Sequence, residues 1–197
     1  MDAADGVHGE GGVRRPYKPT REEVLAAVGK TVPDVMATGL RVLFCGINPG
    51  LYTAAVGHHF ARPGNRFWPA LHGAGFTQRI LSPFEERELL KNGYGITNLV
   101  ARATAGADEL AGAEYVVGRK GLEAKVRRYR PKCLTVLGVG AYRTGFGRPC
   151  AALGRQAETI DDAMIWVLPN PSGLNANYRM EDFVRLFREL REAVSDR

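Results

Sequence analysis

Arg41-Val-Leu-Phe-Cys-Gly-Ile-Asn-Pro-Gly-Leu51 changes character halfway along. Its first half is a short apolar run of the length of a strand buried on both faces. Its second half, Gly46-Ile47-Asn48-Pro49-Gly50, ends that strand. Proline lacks the N–H a ladder needs, and the two glycines leave backbone open to a ligand. Asn48 is therefore expected on a tight turn at the carboxyl end of a buried strand, where open α/β sheets bind their ligands. An ordinary strand-to-loop turn stabilised by an asparagine would give the same pattern.

The motif has a counterpart. Met164-Ile-Trp-Val-Leu-Pro169 is again a buried-strand pattern, followed by Asn170-Pro171-Ser172-Gly173-Leu174-Asn175. Between the two, Gly95 to Val100 and Cys133 to Leu137 read as strands. Thr20 and Glu23 have capping-box spacing and open a helix through Val28. Further helices are expected over Asn65 to Ala74, Ser82 to Asn92, Tyr115 to Tyr129, Ala141 to Phe146 and Glu181 to Val194. The last repeats Phe183, Leu186, Phe187 and Leu190 on one face. Tyr52 to Arg62 and Ala101 to Asp108 read as loops. Strands alternating with helices imply a parallel sheet covered on both sides.

The chain has 197 residues and is 45% hydrophobic, enough for one α/β domain, here residues 21–197. Residues 1–20, rich in glycine and charge, read as a disordered tail. No apolar run has the length of a membrane span or of a signal peptide. Cys45, Cys133 and Cys150 lie far apart and read as reduced cysteines of a cytoplasmic protein. The net charge of +6 is uneven. Basic against acidic residues number 5 to 6 over residues 1–40, 7 to 6 over 41–114 and 15 to 9 over 115–197. An excess of that kind fits a surface facing phosphates.

Several chemistries compete. Gly138-Val-Gly140-Ala-Tyr-Arg143 follows a strand and opens a helix, but Arg143 occupies the third glycine position of a dinucleotide fingerprint. A strand–helix turn needing small residues explains it. His58 and His59 lie near the expected site, yet no further Cys or acidic residue is spaced to complete a metal centre. Ser172 lies in no nucleophile elbow and reads as a turn residue or phosphate contact.

Gly46–Gly50 with Asn170–Asn175 resembles the mismatch-specific uracil/thymine DNA glycosylases of the uracil-DNA glycosylase superfamily. The likeness extends through Phe60-Ala-Arg-Pro-Gly-Asn-Arg-Phe-Trp68, Gly95-Ile-Thr-Asn-Leu-Val100 and Trp166 to Leu174, over roughly residues 40–192. The resemblance implies a three-layer α/β/α sandwich with a four-stranded parallel sheet. It also implies a monomer that needs no cofactor and acts on double-stranded DNA with a G:U or G:T mismatch, in base excision repair. A mismatch- or abasic-site binding protein with a degraded site would share these motifs.

By the same resemblance Asn48 holds the attacking water, and Asn170 stands where faster relatives carry a histidine. Phe60 stacks on the flipped base, although a core phenylalanine would read alike. Gly46, Ile47, Gly50 and Thr53 line the base pocket, with the N–H groups of Ile47 and Phe60 meeting the base's carbonyl oxygens. Ser172 contacts phosphate, Leu174 wedges into the duplex, and backbone groups of Gly173 and Asn175 meet the orphaned guanine. Ala176 departs from relatives that carry a basic residue there, and Asn98 from some that carry lysine. Outside the motifs, Asp108 lies on the loop after the second strand. It could assist the water, with Arg102 as its partner, or cap the next helix.

Overall fold

The computed structural model describes residues 17–195. Of the expected tail, residues 1–16 lie outside these. Strand β1 (Val42–Gly46) is buried along its whole length. It pairs in parallel with β2 (Tyr94–Asn98) on one side and β3 (Cys133–Leu137) on the other. β3 in turn pairs with β5 (Ala163–Leu168). Side chains alternate across β1, so Val42 and Phe44 enter one apolar layer while Leu43 and Cys45 enter the other.

The sheet has five strands, not four, in the order β2-β1-β3-β5-β4. The additional strand, β4 (Gly154–Ile160), runs antiparallel to β5 at the edge. Its polar residues, among them Arg155, Gln156 and Glu158, carry no apolar period, because an edge strand half open to water does not need one. Asp161-Asp162 forms the connecting turn, with Asp161 at φ 50°. At the other edge, a bridge to Val35 caps β2: Val35 N–H donates to Ile96 O at 2.9 Å and Ile96 N–H to Val35 O at 2.8 Å.

Helix α1 (Arg21–Leu25) has the expected Thr20/Glu23 capping box but stops three residues short of Val28. The reading of Tyr52 to Arg62 as loop is corrected at its start, because α2 (Leu51–Val56) occupies it. α3 (Phe67–Gly73) buries Phe67, Trp68 and Leu71 as its spacing predicts. Pro83–Asn92, within the helix expected over Ser82 to Asn92, winds as a 3-10 helix, and the structure adds a Ser82/Glu85 capping box at its start. α4 (Gly112–Tyr129) and α5 (Val139–Phe146) cover one face of the sheet, and α6 (Met180–Ser195) with α3 covers the other. Phe44 sits at the centre of the second layer, in ring contact with Phe67, Phe76, Tyr94 and Phe187. Gly138 turns between β3 and α5 at φ 146°, and a Cβ there would sit 3.0 Å from Ile47. That close approach, rather than a cofactor, accounts for the glycine.

Candidate active site

The carboxyl ends of β1, β2 and β5 converge on an open cleft of about 460 Å³. The β1 and β2 loops zip together beyond the strands: Leu99 N–H donates to Gly46 O, Val100 N–H to Ile47 O and Thr104 N–H to Pro49 O. This pairing brings Asn48 and Thr104 side by side. Asn48 Nδ2 donates to Thr104 Oγ1 at 2.7 Å and to Arg102 O at 3.0 Å. The Thr104 hydroxyl donates onward to Gly106 O, so toward Asn48 it can only accept. Both neighbours demand a donor, which fixes the amide. Its Oδ1 takes no bond from any described residue and lines the cleft as an acceptor.

Asn170 is held in the opposite sense. Its Oδ1 accepts from Ser172 N–H at 3.1 Å, leaving Nδ2 as a free donor at the cleft wall. Asn48 therefore offers a lone pair, and Asn170 offers protons. Gly46, Ile47, Gly50, Thr53 and Phe60 all line the same cleft, as do Ser172, Leu174 and Asn175. The structure brings these expected residues together, and Gly173 joins them on the loop that carries Leu174. Among the described residues, the N–H groups of Ile47 and Phe60 donate to no protein group. The Asn175 N–H is not free, since it closes a turn onto Ser172 O at 3.0 Å.

Phe60 owes its pose to its neighbours. It sits at φ 55°, a left-handed conformation that costs a bulky residue on the order of 1–3 kcal/mol. The preceding residue is pinned at both its backbone groups: His59 N–H donates to Glu86 Oε2 at 2.8 Å and Trp68 Nε1 to His59 O at 3.3 Å. The Phe60 ring then stacks on Phe67, centroids 4.1 Å apart, while it also lines the cleft. It is thus half core and half site.

The histidines have structural partners. His58 Nδ1 meets the buried Glu86 carboxylate at 2.8 Å. His59 is buried, and that burial pushes its imidazole below the usual histidine range. Its Nε2 must donate to Pro33 O at 3.0 Å, so the Nδ1 lone pair faces Asn98 Nδ2 at 3.5 Å. Asn98 Oδ1 lies over Gly46, only 2.5 Å from where a Cβ at that position would be.

Asp108 lines the cleft and is exposed, inside the short 3-10 turn Ala107–Glu109. It does not cap α4, whose first turn is closed by Glu114 accepting from Ala111 N–H. Nor is Arg102 its partner. Arg102 pairs with Glu114 at 2.6 Å, and those hydrogen bonds hold the Glu114 carboxyl down at about 2.

Six lining residues are asparagines: 48, 65, 98, 170, 175 and 177. Arg62 is the one cation among the lining residues and Asp108 the one carboxylate, so the cleft reads hydrogen bonds with little net charge. None of the basic residues of 115–197 lines it, and several are spent on ion pairs, such as Arg119–Glu123, Lys125–Asp34 and Arg148–Glu158. Sequence reasoning overlooked Thr104, Glu86, Arg62 and Arg66, and weighed His59 only as a metal ligand. Their polar types are unremarkable alone: the meeting of the β1 and β2 loops shows what Thr104 holds, and only contacts between distant segments show what Glu86 and Arg66 hold.

Leu174 is 72% exposed. Its loop is braced from beneath by Arg66, whose guanidinium donates to the carbonyls of Ser172, Asn175 and Tyr178. No helix among the described residues is long and apolar enough to cross a membrane. Residues 33–193, from the segment capping β2 to the last turns of α6, match the Uracil DNA glycosylase superfamily. That match covers most of the chain and every element of the cleft, and the chain belongs to the Uracil DNA glycosylase superfamily.

Proposed function

We propose that the chain is a monofunctional, mismatch-specific uracil-DNA glycosylase, active as a monomer and without a cofactor. The target base leaves the duplex, enters the cleft and is removed by hydrolysis. Flipping costs a few kcal/mol, and less where the base is already mispaired. The observation that carries the reading is the locked amide of Asn48. With both its N–H bonds spent on Arg102 and Thr104, Asn48 can only accept from a water, which aims that water's lone pair at the sugar.

In the reaction, the bond from deoxyribose C1′ to the base nitrogen breaks and its electron pair leaves with the base. The water oxygen bonds to C1′. Charge on the departing base falls on its carbonyl oxygens, which the free donors of Asn170, Ile47 and Phe60 are placed to receive. Asn98 Oδ1, beside Gly46, accepts the remaining ring N–H of a uracil or thymine. Phe60 supports the base face. An amide orients water but hardly deprotonates it, so turnover is slow. Asp108, the sole carboxylate lining the cleft, takes the water's proton.

The exposed Leu174 fills the gap left in the stack, as apolar wedges do. Gly173, whose backbone groups bond to no described residue, faces the orphaned guanine. The test is incubation with duplexes bearing uracil, thymine or ethenocytosine opposite guanine, followed by alkaline strand cleavage. Cleavage at uracil supports the reading. Tight mismatch binding without any base release would mark a binding protein instead.

A further inference from the structure

Arg66 is a charged side chain with no carboxylate partner among the described residues. Its guanidinium lies 4.6 Å over the Phe183 ring, and Nη1 donates to Tyr178 O at 2.6 Å. Nη2 donates to Asn175 O at 2.7 Å and also to Ser172 O. The Arg66 backbone N–H adds a bond to Pro171 O at 2.9 Å. One residue thus holds four carbonyls of the 171–178 loop. A second contact locks the loop sideways: a Cβ on Gly173 would meet Gly64 O at 2.8 Å, so only glycine lets the two loops touch.

This arrangement has a directional consequence. In a trans peptide the C=O and the following N–H point opposite ways. With the Ser172 and Asn175 carbonyls turned down onto Arg66, the N–H groups of Gly173 and Ala176 turn outward, beside Leu174. Neither donates to a described residue. A planar fork can span three carbonyls in this way, and an ammonium on a flexible stem cannot.

We infer that Arg66 is the positioning residue that pre-forms the duplex-engaging face of the chain: the Leu174 side chain, the outward N–H of Gly173 that meets the orphaned guanine, and the outward N–H of Ala176, which takes a phosphate of the opposed strand. It acts through the loop and takes no part in bond cleavage. The inference rests on the base-flipping reading above. Pre-ordering stabilises the complex because a floppy wedge loses conformational freedom each time it enters a duplex.

The test compares Arg66→Lys and Arg66→Ala on uracil in a G:U duplex and in a single strand, alone and in a Leu174→Ala background. The loss in kcat/KM on duplex should exceed the loss on single strand by on the order of tenfold. In the Leu174→Ala background that excess should shrink to roughly twofold, because most of what Arg66 positions is gone. Methylguanidinium added to Arg66→Ala should recover part of the duplex activity, which a merely unfolded variant would not do. Equal losses on both substrates, or an undiminished excess without Leu174, would overturn the inference. If Arg66→Ala does not fold, Arg66→Lys carries the same comparison. If the parent chain releases no base at all, the glycosylase reading fails, and amide exchange of residues 171–178 decides the positioning role separately. Faster exchange in Arg66→Lys supports it, and unchanged exchange overturns it.

Discussion

Gly46→Ala is the sharpest probe of the cleft floor. Gly46 ends β1, which is buried along its length, and an added Cβ would stand 2.5 Å from Asn98 Oδ1 and 3.4 Å from Phe60 Cζ. The second distance is tight but tolerable; the first is not. Asn98 must retreat by roughly 1 Å to reach ordinary van der Waals separation. It is free to do so, because its one tether in the cleft is the 3.5 Å contact with His59. Losing that weak bond costs the fold no more than about 1 kcal/mol. The reaction suffers more, since displacing a positioning group by about 1 Å costs on the order of 10²-fold in rate. Single-turnover base release from a G:U duplex at saturating enzyme should therefore fall about a hundredfold, while the urea midpoint barely moves. Asn98→Ala removes the clashing oxygen, so the double variant should release base no more slowly than Asn98→Ala alone. Parent-like release by Gly46→Ala would refute the reasoning. So would destabilisation beyond about 3 kcal/mol, the upper end for overpacking, which would mean that the strand itself had shifted.

Asn48→Ala should abolish nearly all base release yet keep mismatched-duplex affinity, checked by gel shift beside single-turnover kinetics. Asp108→Asn should keep fold and binding while slowing cleavage; release at the parent rate across pH 5 to 9 would remove Asp108 from the mechanism. In that window Glu114, held at about 2 by Arg102, stays ionised, so the brace behind Asn48 does not titrate. Arg62→Ala should lower the slope of log affinity against log salt by about one if the cleft's sole cation meets a phosphate; an unchanged slope would exclude that contact. Buried His59 takes up fewer protons folded than unfolded, so its contribution is present above the ordinary value of 6.5 and is lost as pH falls through it. Glu114 and Glu85 lose theirs further down, between 4.5 and about 2. Urea midpoints should thus decline on acidification below about pH 6.5, and a midpoint that rises there would contradict the assignment.

The residues legible in the sequence are those whose chemistry is local. The β1 turn, the capping box at Thr20 and the apolar face of α6 each follow from spacing alone, and each stands in the structure. β4 was not legible: its alternation of half-buried and exposed polar residues carries no hydrophobic signal, and only pairing with β5 makes it a strand. α2 was hidden by the glycines flanking it, Gly50 as its amino cap and Gly57 as its left-handed end. The cleft divides along the same line. Asn48, Asn170 and Leu174 sit in motifs, whereas Thr104, 56 positions from Asn48, matters only because two loops zip together. Arg66 reaches carbonyls 106 to 112 positions away, a distance over which no periodicity informs.

The short bridge between Val35 and Ile96 sets a condition on handling this protein. β2 is an outermost strand, and the peptide groups of Ile96 are spoken for by a segment that precedes the sheet rather than by a fifth parallel neighbour. A protease cut or truncation ahead of Met36 would strip that cover and leave an apolar ribbon with open hydrogen bonds, which invites a second copy to add on. Because β2 ends in Asn98, fraying of the same ribbon would also dismantle one wall of the cleft. Precipitation and loss of base release would then arrive together, and light scattering recorded alongside activity during limited proteolysis would show them rising and falling in step.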